Sequence, residues 1–130
     1  MARRLLGRGT GPVAIVCSPA ERTLSTAILM ARELGLSSES VSSDPELYFA
    51  GAPMLLRTVS LFDDEQQKMM IVGHNPAVTD FVNELGGLDI VHVPTSGIVQ
   101  FELPIDRWQD VVLGQARCVE FDYPKRGETD

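Results

Sequence analysis

Histidine and cysteine are scarce in this chain, two of each in 130 residues. Cys17 and Cys118 both lie inside apolar, strand-like runs and read as buried free thiols rather than a disulfide. His74, His92 and the cysteines never fall within a few residues of one another, which excludes metal-site spacing, and no metal or other cofactor is expected. No apolar run approaches membrane-spanning length. The arginines of Met1–Leu6 are not followed by the apolar stretch of a secretory signal. Positive charge is also short. A net charge of −7 argues against duplex nucleic acid or an anionic membrane surface as the main partner. A cytoplasmic setting and one domain spanning 1–130 are the expectations, since the hydrophobic fraction of 44% is ordinary for a single packed core. Internal repeats and low-complexity segments are absent as well.

What is present is an alternation of apolar runs and helix-like segments. Val13–Cys17 is continuously apolar, as a strand buried on both faces would be. Leu24, Ala27, Ile28, Ala31 and Leu34 recur at helical spacing, predicting a helix over Ala20–Leu34 that Gly35 ends. Ser37–Ser43 reads as a polar loop or short edge strand. Asp44-Pro45-Glu46 can cap a short helix bearing Leu47 and Tyr48. Further helices are expected at Pro53–Phe62 and Ala77–Leu85, with strands at Met69–Val72 and Ile98–Leu103. Val111–Leu113 and Ala116–Phe121, divided by Gly114, read as a bent final strand. Met1–Gly7 reads as the end of a helix with no capping residue ahead of it, and Gly9–Pro12 as a turn. Strands alternating with helices predict an α/β fold with a largely parallel sheet.

Two strand ends carry polar chemistry. Met69–Val72 runs into Gly73-His74-Asn75-Pro76, whose tight exit would hold the imidazole at the strand's carboxyl end. Val13–Cys17 runs into Ser18-Pro19-Ala20-Glu21-Arg22, which sets Arg22 in the first turn of the next helix. There its guanidinium and the helix's free amides could meet one phosphate. Taken alone, Arg22 is better explained by a surface pair with Glu21 or Asp63, and His74 at least as well by a satisfied turn; the two together favour an anion site. His92, between Val91 and Val93, is assigned to structure. A cysteine-phosphatase loop is rejected, because four residues separate Cys17 from Arg22, one too few, and they include Pro19 and Glu21. Asp80, Glu84 and Asp106 read as solvated acids.

Taken in order, these segments resemble the histidine phosphatase superfamily, most closely its SixA-like phosphohistidine phosphatase branch. Ser18-Pro19-Ala20-Glu21-Arg22-Thr23-Leu24-Ser25-Thr26-Ala27 is similar to the family's Ser-Pro-x-x-Arg-x-x-Gln-Thr-Ala segment, with Ser25 in place of Gln. Asp44–Tyr48, Val72–Pro76, Val93–Val99 and Trp108–Gly114 resemble its later motifs, so the likeness runs from Leu5 to Lys125.

The resemblance implies a three-layer α/β/α fold with a mainly parallel sheet. It also implies phosphatase activity on a phosphohistidine-bearing protein or a small phosphoester, through a phosphohistidine intermediate. Arg22 would supply one arm of a phosphate clamp and His74 would stabilise the transferring group, with Ser18 and Asn75 also at the phosphate. The family's nucleophile stands in an Arg-His-Gly at the end of a first strand, and this sequence contains no Arg-His-Gly. That first central strand is therefore expected to be missing, its place lying ahead of Met1 in the family pattern. Its neighbours would be Val13–Cys17 and Met69–Val72. The gap would close by sheet rearrangement or by pairing with a second copy, a homo-oligomer. The alternative expectation is a degenerate phosphatase that binds inorganic phosphate or a phosphoprotein without cleaving it.

Overall fold

The computed structural model describes residues 14–49, 51–94 and 97–124. The expected helix at Met1–Gly7, the turn at Gly9–Pro12, and Thr95, Ser96 and Lys125 lie outside the described residues. Strand β1 (Ile15–Cys17) is the centre of the molecule, with Ile15 and Cys17 fully buried and Val16 nearly so. Because successive strand side chains point to opposite faces, the three residues serve two cores. Ile15 and Cys17 pack with Ala27 and Ala31 of helix α1 (Glu21–Glu33). Val16 faces the other way, toward Leu47, Leu55, Val59, Phe81 and Leu85. Two of the three buried positions of α1, Ala27 and Ala31, are alanines and leave room for the helix to settle closely on the sheet.

Leu55 and Val59 come from helix α2 (Ala52–Ser60), Phe81 and Leu85 from helix α3 (Ala77–Gly86), and Leu47 from the turn ahead of α2. Helix, sheet and helix pair make the expected three layers. Strand β2 (Val41–Ser43) pairs parallel with β1, Ile15 opposite Val41. It is the short edge strand the serines of this stretch allowed. Asp44 then donates its amide to the carbonyl of Cys17 (2.9 Å) and accepts from the amide of Glu46 (3.0 Å), capping a single 3-10 turn at Pro45–Leu47. That turn drives Leu47 into the core at 2% exposure. Strand β3 (Met70–Val72) pairs parallel with the opposite edge of β1, Ile15 opposite Met70.

The sheet order is thus β2-β1-β3. The two strands expected to flank the missing one, β1 and β3, pair directly with each other, which is the sheet rearrangement expected as one way of closing the gap. β2 and β3 are the two edges of this sheet, and among the described residues no strand pairs with the far side of either. A separate antiparallel ribbon is made of β4 (Ile98–Glu102) and β5 (Arg117–Asp122), with a bulge between Gln100 and Phe101.

The ribbon is anchored to α3 rather than to the sheet. The amides of Gly114 and Ala116 both donate to the carbonyl of Leu85, at 2.9 and 3.2 Å. Gly86 lies so near Phe101 that a Cβ there would stand 2.6 Å from its ring. Val111–Leu113, expected as part of a bent final strand, is not in a strand. The stretch leaves a 3-10 turn at Trp108–Asp110, held by the Trp108 indole donating to the carbonyl of Gln66 (2.8 Å), and only Arg117–Asp122 pairs with β4.

Candidate functional site

Parallel pairing in register, Cys17 opposite Val72, sets the carboxyl ends of β1 and β3 side by side. The next residue along one strand is Ser18; two along the other is His74. Ser18 is fully buried, and its hydroxyl stands 3.4 Å from Nε2 of His74 and 2.7 Å from the Thr23 hydroxyl. Ser18 Oγ also accepts from the amide of Ala20 (3.3 Å), which folds the chain from strand into helix. Thr23 in turn reaches the carbonyls of Ser18 (2.9 Å) and Ala20 (3.0 Å). A threonine has one hydroxyl proton. When Thr23 gives it to a carbonyl, Ser18 donates to Thr23 and accepts from Nε2–H of His74, which defines the imidazole's tautomer.

Arg22 lies one residue before Thr23, in the first turn of α1, and is exposed. Its guanidinium makes no ion pair or hydrogen bond among the described residues, so the surface pairs with Glu21 and Asp63 do not form. No side chain caps the start of α1 either. An unpaired cation beside uncapped helix amides is a combination suited to an anion.

Asn75 is placed differently from a free phosphate ligand. Its Nδ2 donates to the carbonyl of Val93 (2.8 Å), and its Oδ1 accepts from the amide and hydroxyl of Thr79 (3.1 and 2.6 Å). The amide thereby stitches the Gly73–Pro76 turn, whose Asn75–Pro76 peptide is cis, to the loop before β4. His92 departs from the sequence reading in its surroundings: it is exposed, as is Val91 at 96%, and only Val93 of that run is buried. Neither it nor another histidine joins His74 among the described residues.

Cys17 is turned into the α1 side of the sheet, where its thiol donates to the carbonyl of Ser42 (3.6 Å) and burial pushes its pKa up. That leaves it a protonated core thiol, in keeping with the rejection of a cysteine-phosphatase loop. Sequence reasoning missed Thr23, whose spacing from Ser18 was the available signal, and the surroundings of His74. His74, Asn75, Pro76 and Asp80 line a cavity of about 320 Å³ together with Tyr48 and Phe49. Asp80, Glu84 and Asp106 are exposed, as expected.

No protein-family model matches the chain, and no curated protein matches it in sequence. Solved structures do. A protein assigned as the phosphohistidine phosphatase SixA of Nakamurella multipartitia superposes with a TM-score of 0.77 at 20% identity, over 95% of this chain and 77% of its own. One so assigned from Agrobacterium tumefaciens gives 0.76 at 24% identity, over 95% and 75%. The protein histidine phosphatase SixA complexed with tungstate gives 0.67 at 22% identity, over 92% and 74%. The chain therefore has the α/β fold of the histidine phosphatases. Within that class, the likeness is to the SixA phosphohistidine phosphatases.

Proposed function

We propose that this chain holds the phosphoryl group of a phosphohistidine-bearing protein, or of a related small phosphoester, at the carboxyl ends of β1 and β3. The observation that carries the reading is the Ser18–His74 hydrogen bond at paired parallel strand ends, with an unpaired Arg22 in the adjoining helix turn. Arg22 would bind two phosphoryl oxygens through its planar fork. His74, its Nε2–H held by Ser18, would offer the anion an Nδ1–H donor and a second positive charge only as the imidazolium. The tungstate complex of a SixA protein with this fold supports an oxyanion as the ligand.

Hydrolysis through a covalent intermediate requires a histidine nucleophile beside this clamp. The 130-residue chain has no Arg-His-Gly, and His92 stands on an exposed loop. Loss of a nucleophile from a covalent mechanism removes several orders of magnitude in rate. The second reading, capture without efficient cleavage, is therefore the one favoured for these 130 residues. The open edge of β3 also favours self-association of the chain as part of this proposal.

Titration with sulfate and phosphate, followed by NMR and calorimetry, tests the reading. Sulfate and phosphate should both shift the Ser18, Arg22 and His74 resonances on binding at fixed pH. Arg22→Ala should weaken binding by roughly tenfold or more, the scale of a charge-assisted hydrogen bond. Oxyanions that leave Ser18, Arg22 and His74 resonances unmoved would remove the site. Phosphatase turnover at ordinary enzymatic rates that vanishes in His74→Ala would instead make the chain a competent enzyme.

A further inference from the structure

Phe49 is 92% exposed and Tyr48 48% exposed, although both sit beside a cavity that could have sheltered them. Their rings meet edge-to-face, centroids 4.6 Å apart, so the pair stands as one aromatic wall. Asp80 lines the same cavity, and its carboxylate has no hydrogen bond or ion pair among the described residues. His74 lines it too, so the cavity adjoins the proposed phosphoryl site.

The start of α3 gives an anion little purchase in this cavity. The amides of Val78, Thr79 and Asp80 already donate to the His74 carbonyl, Asn75 Oδ1 and the Pro76 carbonyl, at 3.0, 3.1 and 3.0 Å. A carboxylate sharing a cavity with two aromatic rings is instead the chemistry that receives a cation, through ion pairing and ring quadrupoles together. The chain also carries a net charge of −7 against an anionic ligand, which a positive charge next to the phosphoryl group would offset.

We infer that the Tyr48–Phe49–Asp80 cavity receives a lysine or arginine side chain neighbouring the phosphorylated residue, and so selects phosphoproteins with a basic flank. The inference rests on the phosphoryl reading above and adds the substrate's second anchor to it. An arginine would lay its plane on the exposed Phe49 ring; a lysine would point its ammonium at Asp80. An acidic neighbour would meet Asp80 and be repelled.

Six-residue peptides carrying a stable phosphohistidine analogue, flanked by lysine, glutamate or phenylalanine, separate the outcomes, with inorganic phosphate measured alongside on the same 130-residue protein. Calorimetry should show the lysine peptide bound roughly tenfold more tightly than the glutamate peptide. Asp80→Asn and Phe49→Ala, both surface changes, should each reduce that ratio to roughly threefold. Equal affinities for lysine and glutamate peptides, with phosphate still bound, would overturn the basic-flank inference and leave the phosphoryl site standing. Preference for the phenylalanine peptide would overturn it in favour of an apolar anchor. Absence of phosphate binding altogether would end both.

Discussion

Single residues at the strand ends divide into those that hold and those that are free to bind. Ser18 and Thr23 spend their polar atoms on each other, on backbone and on His74, and Asn75 spends its own on Thr79 and the Val93 carbonyl. Among the described residues, Arg22 spends none of its guanidinium in this way. The motif pattern singled out Ser18, Arg22, His74 and Asn75 alike, since composition does not show where a hydrogen bond will go. Cys17 makes a prediction at this scale. Its pKa is raised in the folded protein because burial penalises the thiolate, so the folded state keeps its proton where the unfolded chain loses it. The resulting stability is complete below the ordinary thiol range near ~8.5 and declines as pH rises past it. Denaturation midpoints should therefore fall from pH 8 to 10 more steeply in the native protein than in Cys17→Ala. Thiol reagent should modify Cys17 only as fast as the protein unfolds; rapid labelling under native conditions would contradict its buried placement.

Among the elements, the helices follow the sequence periodicity closely. α1 and α3 begin and end within a residue or so of their expected limits, because their apolar stripes and glycine stops are local signals. α3 ends at Gly87 in the left-handed region, φ +62°, with open space around its α-carbon. Gly87→Ala should therefore cost about 1 kcal/mol from backbone strain alone. A thermal melt unchanged from wild type would mean that the cap relaxes into another geometry. Val111–Leu113 shows the converse. Two valines and a leucine have strand-like composition, but the Trp108 turn and the Gly114 contact to α3 direct the segment along the helical layer.

For the molecule as a whole, the unusual feature is a sheet that stops at β3 beside a ribbon that starts afresh at β4. The amide of Met70 donates to the carbonyl of Ala14 at 2.8 Å, so the alternation of a parallel ladder turns the Ile71 amide to the open edge. Hydrogen exchange should find Ile71 fast in dilute protein while Val16, inside the ladder, is slow. Protection of Ile71 that grows with protein concentration would mark edge-to-edge association. Full protection at the lowest concentration would show that another segment already covers β3.

Fold class, the order of helices and strands, and the two polar strand ends could all be read from the sequence, because hydrophobic period and glycine or proline punctuation act over a few residues. Which strand lies beside which could not, since β1 is equally apolar whether flanked by β3 or by a further strand. Nor could the aromatic wall and the carboxylate around His74, for Tyr48, Phe49 and Asp80 come from segments about thirty residues apart. Their meeting is set by how α2 and α3 pack on one face of β1, and that is a property of side-chain volumes across the core rather than of any local pattern.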